Sequence, residues 1–176
     1  MNPLKIVKIV FFYLLLTFSS IVKSEQTTVY IDMNYVIQNS LAGKSITNKL
    51  INLNAINLKN FTQIEKKLKI NKDKIVSQKN VMDKIEYDKL VLKLKDEIKE
   101  YKKLRQLKKN EIDKKKNFAV AELLKNINQI LAIYSDKKNI ALIIDKRNII
   151  IGKKKLEITS EILELINDKI KNINLK

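Results

Sequence analysis

The sequence predicts an α+β protein, mostly helical, in which a small β-containing body carries a long inserted antiparallel coiled-coil hairpin. Three observations carry this expectation. From Ile46 to Tyr134 there is neither Gly nor Pro, while Leu, Ile, Lys, Glu and Asn recur at helical spacing over a stretch too long for one ordinary globular helix. Near its middle stands a capping-box pattern, Asp83-Lys84-Ile85-Glu86, in which Asp83 accepts from the Glu86 N–H and Glu86 reaches back to Asp83. Short apolar runs of strand character lie on both flanks of the long stretch.

The hairpin reads as a first helix from Lys44 to Asn80, a turn at Val81 to Asp83, and a second helix from Lys84 to about Asp136. Phe61, Leu68, Ile75 and Met82 fall seven apart, and Ile64, Asn71, Gln78 and Ile85 follow each by three, a heptad seam with polar breaks at Asn71 and Gln78. These breaks are read as soft points of the arm. The second helix answers with Tyr87, Leu94 and Tyr101 in one row and Leu90 and Leu104 in the next, and the seam is expected to fail at Lys108 and Glu111. At 1.5 Å per residue, such an arm projects roughly 55 Å. It must protrude from any body this chain can form.

Before the hairpin, Thr27 to Met33 alternates in the manner of a half-buried strand. Asp32 or Asn34 can cap a short helical turn carrying Tyr35, Val36 and Ile37, and Gly43 either supplies a joint or sits in the first turn of the long helix. After the hairpin, Phe118, Ala119, Leu123, Ile127, Ile130 and Ile133 form an apolar face. Ile140 to Ile144 reads as a covered strand. Asp145 to Asn148 reads as a turn into a second strand, Ile149 to Ile151, that Gly152 ends. Thr159 is a candidate N-cap, with Ile158 and Leu163 placed to staple, for a last helix buried through Ile162, Leu165, Ile166 and Ile170. The organisation expected is therefore a leader over 1–24, a discontinuous body from 25–43 plus 119–176, and an arm over 44–118 with its tip near 81–83. Three short strands make a thin core, and strand edges of this kind invite an oligomer that merges several sheets.

Met1 to Ser24 reads as a secretory signal peptide: Lys5 and Lys8, an apolar run Ile9 to Phe18, then Val22-Lys23-Ser24 before a mature start at Glu25. The competing reading, a membrane anchor, meets an apolar run of ten residues where about 20 are needed. Of the formal +17, the leader's three lysines account for +3, and the mature chain keeps +14. Arg105 and Arg147 are the only arginines, so the charge is carried by hydrated point charges suited to diffuse attraction rather than bidentate recognition. Many of these lysines also serve simply to solvate the hairpin.

Cysteine and histidine are both absent and there are two glycines. Disulfides, imidazole bases and ligands, and Gly-rich phosphate loops are thereby excluded. Composition argues against an enzyme, and no metal or cofactor is expected.

Val29-Tyr30-Ile31-Asp32-Met33-Asn34-Tyr35-Val36 with Ser40-Leu41-Ala42-Gly43-Lys44, then Ile140 to Asp145, then Ile158-Thr159-Ser160-Glu161-Ile162-Leu163, together resemble the Skp/OmpH family of periplasmic chaperones. The likeness runs in order from Thr27 to Asn167. It departs from the family in its high lysine and asparagine content and its near lack of arginine. The resemblance implies a trimerisation body in which three chains join their strands, with the hairpins hanging as tentacles around a cavity. It further implies a periplasmic holdase that keeps unfolded outer-membrane β-barrel proteins from aggregating without ATP.

On that basis Lys102, Lys103, Arg105, Lys108, Lys109, Lys114, Lys115 and Lys116 are candidates to attract clients. Met82, Tyr87, Val81 and Leu92 are candidates for apolar contact. Each has a plainer alternative as solvated face or seam packing. Val29, Ile31, Ile140, Leu142, Ile144, Ile149 and Ile151 are the candidates for the oligomerisation body. Unfolded outer-membrane proteins, two further copies of the chain, and anionic lipid or lipopolysaccharide are the expected partners. No specific nucleic acid is expected, although a basic chain binds polyanions at low salt. An exported coiled-coil scaffold at the envelope surface is the alternative function; a nucleic-acid-binding role and a part in barrel assembly or adhesion also stay open.

Overall fold

The computed structural model describes residues 27–175; the expected leader over 1–24 lies outside them. Strand β1 (Thr27–Ile31) leads into a short helix α1 (Met33–Asn39) and two long helices, α2 (Leu41–Ser77) and α3 (Lys84–Lys138). Strand β2 (Ile140–Asp145), two 3-10 turns (Lys146–Asn148 and Lys154–Leu156) and helix α4 (Thr159–Lys169) complete the described chain. Among the described residues no helix is long and apolar enough to cross a membrane.

β1 and β2 pair in parallel, with Tyr30 opposite Ile144 and Ile31 opposite Asp145. Parallel neighbours need a crossover connection, and here the crossover is the entire helical hairpin. On its other side β1 is bridged by Glu157, with the Ile158 N–H donating to the Tyr30 carbonyl at 2.9 Å. β1 is therefore central and buried from Val29 to Ile31, whereas β2 is an edge on which Ala141 and Leu142 stay exposed. The covered strand expected at Ile140–Ile144 is thus only half covered within one chain.

Local chemistry fixes each junction. Asp32 accepts from the Tyr35 N–H at 2.9 Å and caps α1. Ser40, fully buried, accepts from the Gly43 N–H at 3.0 Å and caps α2, so Gly43 lies in the first turn of the helix rather than in a joint. A methyl on Gly43 would stand 1.7 Å from the Ile37 carbonyl oxygen; the residue is glycine because α1 and α2 cross there. Asn139, at φ 53°, closes α3 in the left-handed conformation that asparagine tolerates and turns the chain sharply into β2.

Four expectations fail. The second strand at Ile149–Ile151 does not form. Asp145 accepts from the Arg147 N–H at 2.9 Å and pairs with its guanidinium, winding the chain into a 3-10 turn instead of a hairpin. Ile150 and Ile151 are left 99% and 91% exposed. Gly152, rather than ending a strand, lies so close to the Tyr30 ring that a Cβ would meet it at 2.8 Å. Thr159 does not cap α4: its hydroxyl accepts from the Asp32 N–H at 2.9 Å and donates to Glu157, tying the end of β1 to the last helix. Phe118 and Ile133 face away from the core, whose row on α3 runs Ala119, Leu123, Ile127, Ile130 and Tyr134.

That row packs with Val29, Ile31, Val36, Ile46, Ile158, Ile162 and Ile166. A segment after α4 joins it: Ile173 is buried, the Ile173 carbonyl accepts from Lys49 Nζ at 2.8 Å, and Asn172 accepts from Ser45 Oγ at 3.1 Å. Together with the Leu41 N–H donating to Asn167 at 2.7 Å, these bonds clamp the first turns of α2 to the C-terminal end of the chain.

Two outcomes follow from this packing. Gly43→Ala forces α1 and α2 apart and lowers stability by about 1–3 kcal/mol, read as a drop in the urea midpoint. Burial, reinforced by the hydroxyl's bond to Glu161, pushes the Tyr134 phenol up to about 12. Its folded value lies above the unfolded value of about 10, so the stability tied to the neutral phenol is present below pH 10. It is lost as pH rises towards 12. Tyr134→Phe flattens alkaline unfolding over that window, as measured by circular dichroism.

Candidate functional site: the helical arm

The hairpin has no interior. Burial on α2 stops at Ile46 and on α3 begins at Ala119, and no residue between them is fully buried. What holds the arm is a half-buried seam: Phe61, Ile64, Leu68, Ile75, Gln78 and Met82 against Tyr87, Leu90, Leu94 and Tyr101. The seam does not fail at Lys108. Lys108 and Lys115 continue the row of Tyr87, Leu94 and Tyr101 half-buried, because a lysine can bury its methylene stem while its ammonium stays in water. Glu111 does lie outside it and pairs instead with Lys108 at 2.8 Å, which holds its carboxyl below the usual range. At the polar break, Asn71 donates to Glu97 across the arm at 3.3 Å.

Capping at the tip is as expected for Asp83, which accepts from the Ile85 and Glu86 N–H groups at 2.9 and 3.4 Å. Halfway along the arm a polar staple crosses the seam. Phe61 and Tyr101 meet edge to face with centroids 6.0 Å apart, Arg105 lies over both rings, and Glu65 accepts from the Tyr101 hydroxyl and faces Arg105 at 3.5 Å. Burial and the bond to Glu65 raise the Tyr101 phenol above its ordinary value. Arg105, a candidate for attracting clients, is thus engaged within the arm. Its pairing with Glu65 was not visible as heptad spacing, since the two lie 40 residues apart and meet only because the hairpin folds back.

The structure separates the other candidates. Lys102, Arg105, Lys108, Lys109 and Lys116 line one open groove of about 760 Å³ at the root of the arm, between α2 and α3. Lys115 lies on the opposite side with Lys49, Ile56 and Leu175. Lys103 and Lys114 are exposed and line neither groove. Near the tip Met82 is half-buried in a second groove of about 430 Å³, Tyr87 belongs to the seam, and Val81 and Leu92 are exposed. In the body, Val29 and Ile31 are buried, Ile140, Ile144 and Ile149 half-buried, and Leu142 and Ile151 exposed.

Charge is unevenly spread. The root half of the arm, 44–60 with 102–118, carries eleven Lys and Arg against two acids, while the outer half, 61–101, carries eleven lysines against eight acids. Positive charge therefore concentrates at the root, beside the body. Among the described residues no group of three His, Cys, Asp or Glu is placed to hold a metal ion.

A small parallel sheet whose crossover is a protruding helical hairpin defines a tentacled α+β protein. The profile of the family described as Outer membrane protein (OmpH-like) matches residues 27–166, and the chain belongs to that family. The fold is similar to the crystal structure of a protein from Caulobacter crescentus CB15 assigned as an outer membrane chaperone (OmpH-like), with a TM-score of 0.79 at 13% identity. The similarity covers 85% of this chain and 88% of that one. No curated protein matches the chain.

The staple gives a local test. Phe61→Ala removes the ring under Arg105, and amide exchange measured by mass spectrometry is expected to speed up in peptides around 55–70 and 95–110 while the body keeps its protection. Arg105→Ala, which breaks an exposed ion pair, has the smaller effect, at most about 1 kcal/mol on local opening.

Proposed function

We propose that this protein is an ATP-independent periplasmic holdase that keeps unfolded outer-membrane β-barrel proteins soluble between the arms of a homotrimer. The observation that carries the reading is the arm itself: a hairpin with no fully buried residue between Ile46 and Ala119 is all surface. A holdase needs such a surface, with long-range attraction, many weak contacts and no single tight pocket. The eleven basic residues at the root supply the attraction. Half-buried seam groups and the exposed Val81, Ile85 and Leu92 supply weak apolar contact.

Trimerisation is supported by what one chain leaves bare. Leu142 on the edge strand is 53% exposed, and Ile133, Ile150 and Ile151 are exposed with it. An edge strand with apolar neighbours invites pairing with other chains, and the small core of the body would gain from it. In this arrangement Val29, Ile31, Ile140, Leu142, Ile144, Ile149 and Ile151 belong to the joined body, with 25–43 and 119–176 forming it and 44–118 hanging from it. The same lysines would meet lipid phosphates or lipopolysaccharide as point charges.

The purified form comprising residues 25–176 is expected to have the mass of a trimer with protruding arms in solution. It should suppress aggregation of an acidic β-barrel protein diluted from urea, without nucleotide, and less well as salt screens the arms. A folded monomer at micromolar concentration, or unchanged aggregation at low salt, overturns the reading; an open-ended oligomer points to a scaffold.

A further inference from the structure

The root groove joins an apolar floor to a basic wall that runs its whole length. Leu50, Ile51 and Ile112 supply apolar surface, while Lys102, Lys109 and Lys116, seven residues apart on α3, stand along one side. These three lysines make no ion pair among the described residues. Asp113 is the single acid lining the groove. The facing wall on α2 carries none, since the first acid of that helix is Glu65. Arg105, held over Phe61 at 5.5 Å, closes the outer end.

We propose that this groove is a discrete binding subsite, one on each arm, for an extended acidic segment in which apolar and carboxylate side chains alternate. The inference rests on the holdase reading and deepens it. From Thr47 to Phe61 the groove runs fourteen residues of helix, roughly 21 Å at 1.5 Å per residue. This accommodates about six residues of extended chain. Successive side chains of an extended segment point to opposite faces. One face therefore settles on Leu50, Ile51 and Ile112 while the other turns its carboxylates to the lysine row. A nucleic-acid strand fits less well: the ring of Phe61 is covered by Arg105 and offers no platform for base stacking, and an apolar floor does nothing for a phosphate backbone.

The test uses the trimer and a fluorescein-labelled eight-residue peptide of alternating apolar and glutamate residues. Lys102→Glu, Lys109→Glu and Lys116→Glu together are expected to weaken its binding at low salt by at least about tenfold, the loss of three exposed ion pairs with like-charge repulsion added. The charge-matched set Lys72→Glu, Lys79→Glu and Lys89→Glu in the outer half should weaken it less than about threefold, the residue of long-range attraction. Ile51 and Ile56 are equally exposed at 59% but lie beside opposite grooves. A photo-crosslinker at Ile51 should therefore capture the peptide and one at Ile56 should not, a readout that needs no charge change. Equal weakening by both lysine sets, equal crosslinking at both positions, no binding by the unaltered protein, or equal displacement by a single-stranded oligonucleotide each overturns the proposal. If the unaltered trimer prevents aggregation of β-barrel proteins while the root set binds peptide as well as it does, the subsite fails and the holdase reading stands.

Discussion

The parallel pairing of β1 with β2 is the constraint on which the rest of the molecule depends. Two strands more than a hundred residues apart lie side by side, so the polypeptide between them has to leave the sheet and return to it. It does so as two helices long enough to project far from the body. Because both roots are fixed by the same sheet, the hairpin is anchored at each end. The grip is reinforced by Ser40 capping α2, by Asn167 on its first N–H, and by Asn172 and Ile173 bound to Ser45 and Lys49. Thr159 adds a tie between β1 and α4.

Away from those anchors the physics changes. In the body, large aliphatic side chains are removed from water. In the arm, half-buried rings, lysine stems and a few cross-arm hydrogen bonds do the holding. Such a seam contributes little per residue, and its stability comes from length. The same economy leaves the arm's outer faces free to carry charge. That charge is graded from a strongly basic root to a nearly balanced outer half.

Much of this was legible in the sequence. The hairpin, its tip at Asp83 and the seam from Phe61 to Tyr101 follow from heptad spacing and capping, both local signals. The uneven charge was equally readable, since no acid occurs between Asp32 and Glu65. What could not be read depends on partners distant in the chain. Ile149-Ile150-Ile151 has strand propensity, but propensity does not supply a neighbour, and the Asp145–Arg147 pair turns the chain another way. Thr159 stands where a cap belongs, yet its hydroxyl goes to Asp32. Ile133 and Tyr134 are adjacent apolar residues, and one step of about 100° around the helix decides which is buried. The irregular segment around Ile173 is too short for any periodicity to register.

The distance in chain between β1 and its partner also sets an order of events. α2 and α3 can close on each other through contacts local to the tip, quickly and early. β1 cannot be satisfied until β2 and then Glu157 and Ile158 have been made. Until then its backbone is an open template, so a chain interrupted before its final fifth would present a finished rod attached to an unsealed base.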